Sequence, residues 1–218
     1  MALDVSTNDA AALTDSDLDE LASMEEAFNA GHLSKAKEDW VLVTTARFGD
    51  KLHGFSFSTL ERIGGTPCVL IGLMSVRRSS KRDQVLRGLI GEAYHRALMA
   101  FPDEDVVVGS RFVNADGLDA FRDLREVTPS PGSNAVGEER AWGRRLAKRF
   151  GIDAKYDAKT FISASAAQDG VLDHESLKPE KLDGDLVTMF EAVPVGKGGV
   201  MVVYGWTMAE DLLKLGNR

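Results

Sequence analysis

The sequence predicts an α/β fold built on one mixed sheet, with antiparallel strands first, a parallel pair at its centre and helices on both faces. Three observations carry this. Residues 68–76, CVLIGLMSV, hardly alternate between polar and apolar, and residues 105–113 hold Val106, Val107 and Val108 in a row; such runs are buried on both faces and sit inside a sheet. Between them Leu86, Leu89, Ile90, Ala93, Ala97 and Phe101 recur at helical spacing up to Pro102, so strand, helix and strand make a right-handed parallel crossover. Upstream, strand-like runs at 40–47 and 54–63, the second alternating Phe55 and Phe57 with Ser56 and Ser58, are joined to each other and to 67–76 by the turns FGDK and GGT. That is the pattern of an antiparallel meander.

The remaining elements follow in order. Residues 15–31 open with Asp and Ser capping candidates and place Leu18, Leu21, Met24, Ala27 and Phe28 at helical spacing before Gly31, predicting one helix. After the crossover, Asn114 is expected to cap a short helix through Leu118 and Phe121. The stretch TPSPGSNAVG at 128–137 is a loop by composition. It divides a core at 1–127 from a C-terminal part at 128–218 that completes the sheet. That part begins with a basic amphipathic helix at 138–150 carrying Arg140, Arg144, Arg145, Lys148 and Arg149. Residues 160–164 and 186–192 read as strands, and 199–206 as a last strong strand in a hairpin across the glycine-bearing turn 195–199, before a short polar-ended helix.

Composition narrows the function. The 218 residues suit one domain with an added segment. A formal charge of −8 and a pI near 5.1 argue against partners held by neutralising many phosphates, so nucleic acid is excluded as a partner. No apolar stretch approaches the ~18 residues that span a bilayer, and the N-terminus has no signal-peptide pattern, which excludes a membrane partner and favours the cytoplasm. The single cysteine, Cys68, can build neither a disulfide framework nor a multi-cysteine zinc site and is read as packing in a reducing compartment. His32, His53, His95 and His174 lack ligand spacing, so no metal is expected, and there is no G-x-S-x-G hydrolase elbow.

The chemistry concentrates where the first buried strand meets the central helix. Arg77, Arg78, Lys81, Arg82 and Arg87 cluster there. A helix N-terminus offers unpaired N–H groups and the positive end of the macrodipole, a place suited to an anionic pyrophosphate. The order of elements, and the segment VLIGLMSVRRSSKRDQVLRGLIGEAYHRAL at 69–98, resemble the GCN5-related N-acetyltransferase (GNAT) family. Its members read approximately V-x-P-x-x-R-R-x-G-x-G or, in one branch, V-x-P-x-x-R-R-R-G-V-L-R-x-L. Against that branch Val76, Lys81, Arg82, Val85, Leu86, Arg87 and Leu89 match, and the resemblance covers about the first 125 residues.

The resemblance implies a GNAT-like sheet and an acyl-coenzyme A-dependent N-acyltransferase, with acetyl-coenzyme A or another acyl-coenzyme A as cosubstrate. It implies a small-molecule or protein amine as acceptor, and it is compatible with a homodimer. The implied cofactor-binding residues are Val76, Arg78, Lys81, Arg82, Gln84, Leu86 and Asn114. The backbone edge at 76–78 would bond the pantetheine arm, and a backbone N–H near Val76 would polarise the thioester carbonyl. The acceptor would enter from the face of the first helix and the Phe55/Phe57 strand.

The sequence also departs from the family. Gln84 stands where glycine is usual and Arg78 where proline is common. In the following segment, NADGLDAF, Asn114 matches the family's N-x-x-A-x-x-x-Y, but Gly117 replaces the alanine and Phe121 the tyrosine that protonates the leaving thiolate. A phenyl ring donates no proton, so the motif assigns no catalytic residue. Glu61 is the nearest carboxylate that could act as base. The alternative to an enzyme is a catalytically inactive GNAT-fold module for ligand binding or assembly.

Overall fold

The two apolar runs do form a parallel pair, and the sheet is arranged around it. The computed structural model describes residues 2–24, 28–164, 172 and 174–215. In chain order the elements are β1 (Leu3–Asp9), α1 (Asp15–Ala22), α2 (Ala30–Asp39), β2 (Leu42–Phe48), β3 (Lys51–Ile63), β4 (Thr66–Val76) and α3 (Arg82–Ala100). Then come β5 (Val106–Phe112), β6 (Arg125–Thr128), α4 (Gly137–Arg149), β7 (Tyr156–Asp157), β8 (Ile162–Ser163), α5 (Gly184–Phe190), β9 (Val200–Thr207) and α6 (Ala209–Leu215). Among the described residues the strands make one mixed sheet in the order β1-β2-β3-β4-β5-β9-β8-β7, with β6 also bonded to β9. Among these described strands, β4 and β5 alone run parallel. No helix among the described residues is long and apolar enough to cross a membrane.

Residues of β4 from Pro67 to Val76 and all of β5 are buried, which requires cover on both faces of the sheet. α3 lies against β1 to β4, and it comes close because Gly54 has no side chain: a Cβ there would stand 2.5 Å from Val85 Cγ1. α4 packs on β9, where Trp142 meets Trp206 edge-on at 5.6 Å. At the centre of β4, the Trp40 ring at the end of α2 fills the space beside Gly72, 2.4 Å from where a Cβ would be.

Several elements differ from expectation, each for a local reason. The single helix expected at 15–31 is two: a Thr14–Asp17 capping box starts α1, and the Asn29 side chain accepts from the His32 N–H at 3.0 Å to start α2. Gly31 therefore lies in the first turn of α2 and stops nothing, while Ala27 falls outside the described residues. The strand expected at 186–192 is the helix α5, begun by the Asp183 carboxylate accepting from the Asp185 N–H. A side-chain cap outweighs a short apolar run in choosing between helix and strand. The turn at 195–199 accordingly joins a helix to β9 and closes no hairpin: β9 pairs with β5, and Gly198 turns the chain at φ 74°. The strand expected at 160–164 shrinks to Ile162–Ser163. Asn114 caps no helix; its Oδ1 accepts from the Asp116 N–H at 2.8 Å, and the 3-10 turn Leu118–Phe121 starts without a side-chain cap.

Because the indole occupies the space above Gly72, Gly72→Ala should destabilise the protein by about 1–3 kcal/mol through overpacking. An unchanged urea midpoint would show that the ring can move aside.

Candidate functional site

β4 and β5 do not stay together. They pair from Cys68–Val107 to Leu70–Gly109 and then part. The cause is on the other side of β4, where the register with β3 jumps from Ser56–Met74 to Ser58–Ile71 and leaves one extra residue on β4. Such a bulge bends the strand and raises its twist. At the point of parting the Ile71 carbonyl accepts from the Ser110 hydroxyl at 2.5 Å. β5 meanwhile stays in register with β9 through Phe112, so a wedge opens between β5 and the last residues of β4.

The wedge is bridged by the chain itself. The Leu172 N–H donates to the Arg111 carbonyl on β5 at 2.8 Å. On the β4 side, the Val76 N–H donates to Ser176 Oγ at 3.2 Å, and Ser75 Oγ lies 3.3 Å from the same oxygen. Ser176 sits in the 3-10 turn Glu175–Leu177, whose start is capped by His174: Nδ1 accepts from the Ser176 N–H at 3.0 Å and lies 2.9 Å from its Oγ. Leu172, Ser176 and Leu177 are buried. Sequence reasoning missed these residues, because a contact between positions a hundred apart has no local periodicity.

The expected binding residues divide into two groups. Val76, Arg78 and Arg82 converge at the mouth of the wedge, where Arg78, Arg82, Arg122 and Lys178 share a recess of about 710 Å³ with Asp83, Asp119, Glu175 and Glu180. Lys81, Gln84, Leu86 and Asn114 do not line this recess. The Lys81 ammonium lies over the Phe48 ring at 3.7 Å, Gln84 and Asn114 are exposed, and Leu86 is buried in the core. Arg82 already has partners, for its guanidinium meets Asp119 at 2.5 Å and Asp83 at 2.7 Å and donates to the Leu177 carbonyl. The Arg82 and Asp119 side chains are only 11% and 16% exposed, so this charge is balanced from within. Arg78 is half exposed, 3.9 Å from Glu175, with one N–H to the Lys178 carbonyl at 3.4 Å. α3 begins without a side-chain cap. Nearby, burial pushes the Asp116 carboxyl above its usual range, and Lys178, Arg78 and His174 only partly offset this.

Other candidates are placed away from the wedge. Glu61 sits opposite Cys68, at the far end of β4 from Val76, and is bound to Arg149 at 2.6 Å, so it is no base for this site. Phe121 is buried against Phe112, edge-on at 5.4 Å. Phe55 and Phe57 are wholly buried and pack on one another at 6.2 Å, so they line no open acceptor face. Cys68 is buried packing, as expected, and burial pushes its thiol up to about 12.

No protein-family model matches the sequence, nor does any curated protein. Several solved structures are similar. An aminoglycoside acetyltransferase from an uncultured soil metagenomic sample, in complex with sisomicin, is 18% identical, with 62% of this chain and 92% of that one covered and a TM-score of 0.39. A Bacillus subtilis acetyltransferase in complex with CoA is 13% identical over 95% and 100% of the two chains, with a TM-score of 0.44. The aminoglycoside 6'-N-acetyltransferase of Enterococcus faecium is 12% identical over 94% and 97%, also at 0.44. All three are described as acetyltransferases.

The raised thiol gives a direct test of the buried strand. Its ionisation favours the unfolded chain, so the stabilising effect is complete below the ordinary thiol range of about 8.5 and is lost as pH rises toward the folded value. Cys68 should therefore resist a thiol reagent at pH 8 until urea unfolds the protein. Prompt labelling of the folded chain would show that the start of β4 opens.

Proposed function

We propose that this chain is an acyl-coenzyme A-dependent N-acyltransferase that moves an acetyl or related acyl group onto an amine of a small molecule or a protein. One observation carries the reading: β4 and β5 part beside the basic N-terminus of α3, leaving the Val76 N–H directed into the wedge and Arg78 and Arg82 at its mouth. A backbone N–H at that position is a fixed dipole that a thioester or amide oxygen can meet, and two guanidinium groups suit a pyrophosphate. In the reaction the amine nitrogen attacks the thioester carbonyl, the new C–N bond forms as the C–S bond breaks, and the amine's proton is lost while the thiolate gains one. The contribution of Val76 is to hold the carbonyl oxygen as charge builds on it. Phe121 supplies no proton, so water is the acid in this reading. The single buried thiol suits a reducing cytoplasm.

A specific observation favours a second reading, in which the fold binds or assembles without catalysis. Ser176 takes the Val76 N–H and Asp119 balances Arg82; every group this chemistry needs is already engaged. Turnover separates the two.

The first reading expects acetyl-coenzyme A to raise the melting temperature, with a gain of about 2.7 kcal/mol at a hundred times its dissociation constant. Thiol release with a panel of amines should then exceed the uncatalysed rate. Arg78→Glu, at a half-exposed position, should weaken coenzyme binding by roughly tenfold through phosphate repulsion, at about 1.4 kcal/mol. Binding without thiol release would establish the second reading, and an Arg78→Glu variant that binds as the wild type does would remove the phosphate site from the recess.

A further inference from the structure

We infer that residues 174–178 are an intramolecular competitor for the coenzyme, a plug that must leave the wedge before an acyl-coenzyme A can enter. The inference rests on the acyltransferase reading above and goes beyond it. Its basis is a juxtaposition: one short stretch engages groups at both ends of the path along which the coenzyme would lie. At the inner end Ser176 Oγ accepts from the Val76 N–H, as a pantetheine or thioester oxygen would. At the outer end the Leu177 carbonyl accepts from the Arg82 guanidinium, as a phosphate oxygen would. Arg78 repeats the pattern with the Lys178 carbonyl at 3.4 Å and Glu175 at 3.9 Å. The plug therefore sets a hydroxyl oxygen on the Val76 N–H and carbonyl oxygens on both guanidinium groups, with the Glu175 carboxylate beside Arg78.

The way the plug is held suits release. On β4 it makes no strand ladder; it depends on one hydroxyl, positioned by the His174 ring, and that ring rests on Phe28 at 5.5 Å. The ion pair at its outer edge is loose, with Glu175 78% exposed. Side-chain hydroxyl bonds can be exchanged for those of a ligand one for one, leaving no buried donor unpaired. The consequence is quantitative: if the wedge is open for about 1% of the time, the apparent affinity for the coenzyme falls ~100-fold below its intrinsic value.

The test is to fix the plug shut and to loosen it, in the full chain. Ser75 Oγ and Ser176 Oγ are 3.3 Å apart, so Ser75→Cys with Ser176→Cys places two thiols within reach of a disulfide, while the buried Cys68 stays out of exchange. The probe is acetyl-coenzyme A, which has no free thiol to reduce the bridge. Calorimetry should find binding to the reduced variant and at least tenfold weaker binding to the oxidised one. The looser variant Ser176→Gly/Leu177→Ala should bind at least tenfold more tightly than the wild type. Equal affinity in the two redox states of a variant shown by mass to be bridged would overturn the plug and leave the acyltransferase reading standing. No binding by the wild type, the reduced variant or the looser variant at millimolar acetyl-coenzyme A would overturn both. Hydrogen exchange of the wild type keeps the test independent of these substitutions: residues 174–178 should exchange faster with the probe bound, and slower exchange there would refute displacement.

Discussion

A strand at the centre of a sheet carries N–H and C=O groups along both edges, and each must find a partner if it is buried. β4 meets this requirement with β3 along one edge, but along the other it has β5 only as far as Leu70. Beyond that point the bonds of Ile71 and Val76 go to side-chain hydroxyls, first Ser110 and then Ser176. The rest of the site follows from this one change of partner. A ladder bond between strands is replicated by its neighbours and resists exchange, whereas a bond to a hydroxyl stands alone. The same bulge that turns β4 away from β5 thus converts part of a sheet edge into a row of individually negotiable contacts.

Charge is handled in the same local way. The protein is acidic, at −8, yet the basic turn is no open cationic surface. Arg82 is matched by Asp119, Lys81 is turned onto an aromatic face, and elsewhere Arg47 meets Glu20, Arg62 meets Glu104 and Arg149 meets Glu61. The more exposed of these pairs contribute little to stability. Beside the wedge, Arg78 and Lys178 are exposed whereas Arg82 is not.

What could be read from the sequence is what repeats. The near-continuous apolar run of β4, the valine run of β5 and the apolar stripe of α3 at helical spacing are each visible in the sequence and place these elements correctly. α2 is hidden in the sequence because Asn29 starts a helix inside an apolar pattern that runs up to Gly31, and α5 because a seven-residue segment is as long as a strand. The convergence of Val76, Arg78 and Arg82 was legible from spacing at the end of a strand and the start of a helix. The fates of Lys81, Gln84 and Asn114 were not, since each is decided by a neighbour distant in sequence or by solvent. Asp119 and Ser176 lie 37 and 100 residues from the groups they engage, and no local rule connects residues that far apart.

The hundred-residue gap between Val76 and Ser176 also bears on how the molecule comes into being. During synthesis β4, α3 and β5 leave the ribosome long before Ser176 does, and contacts of wide sequence separation form late because the loop must close first. β9, which borders β5 for its whole length, arrives later still. The nascent chain therefore passes through a stage in which two apolar strands are made but one side of each lacks its final neighbour. Strand edges in that condition pair readily with other chains. The C-terminal third of the sequence acts in this sense as a built-in chaperone for the core, and a chain ending before it would expose, rather than merely lack, part of its fold.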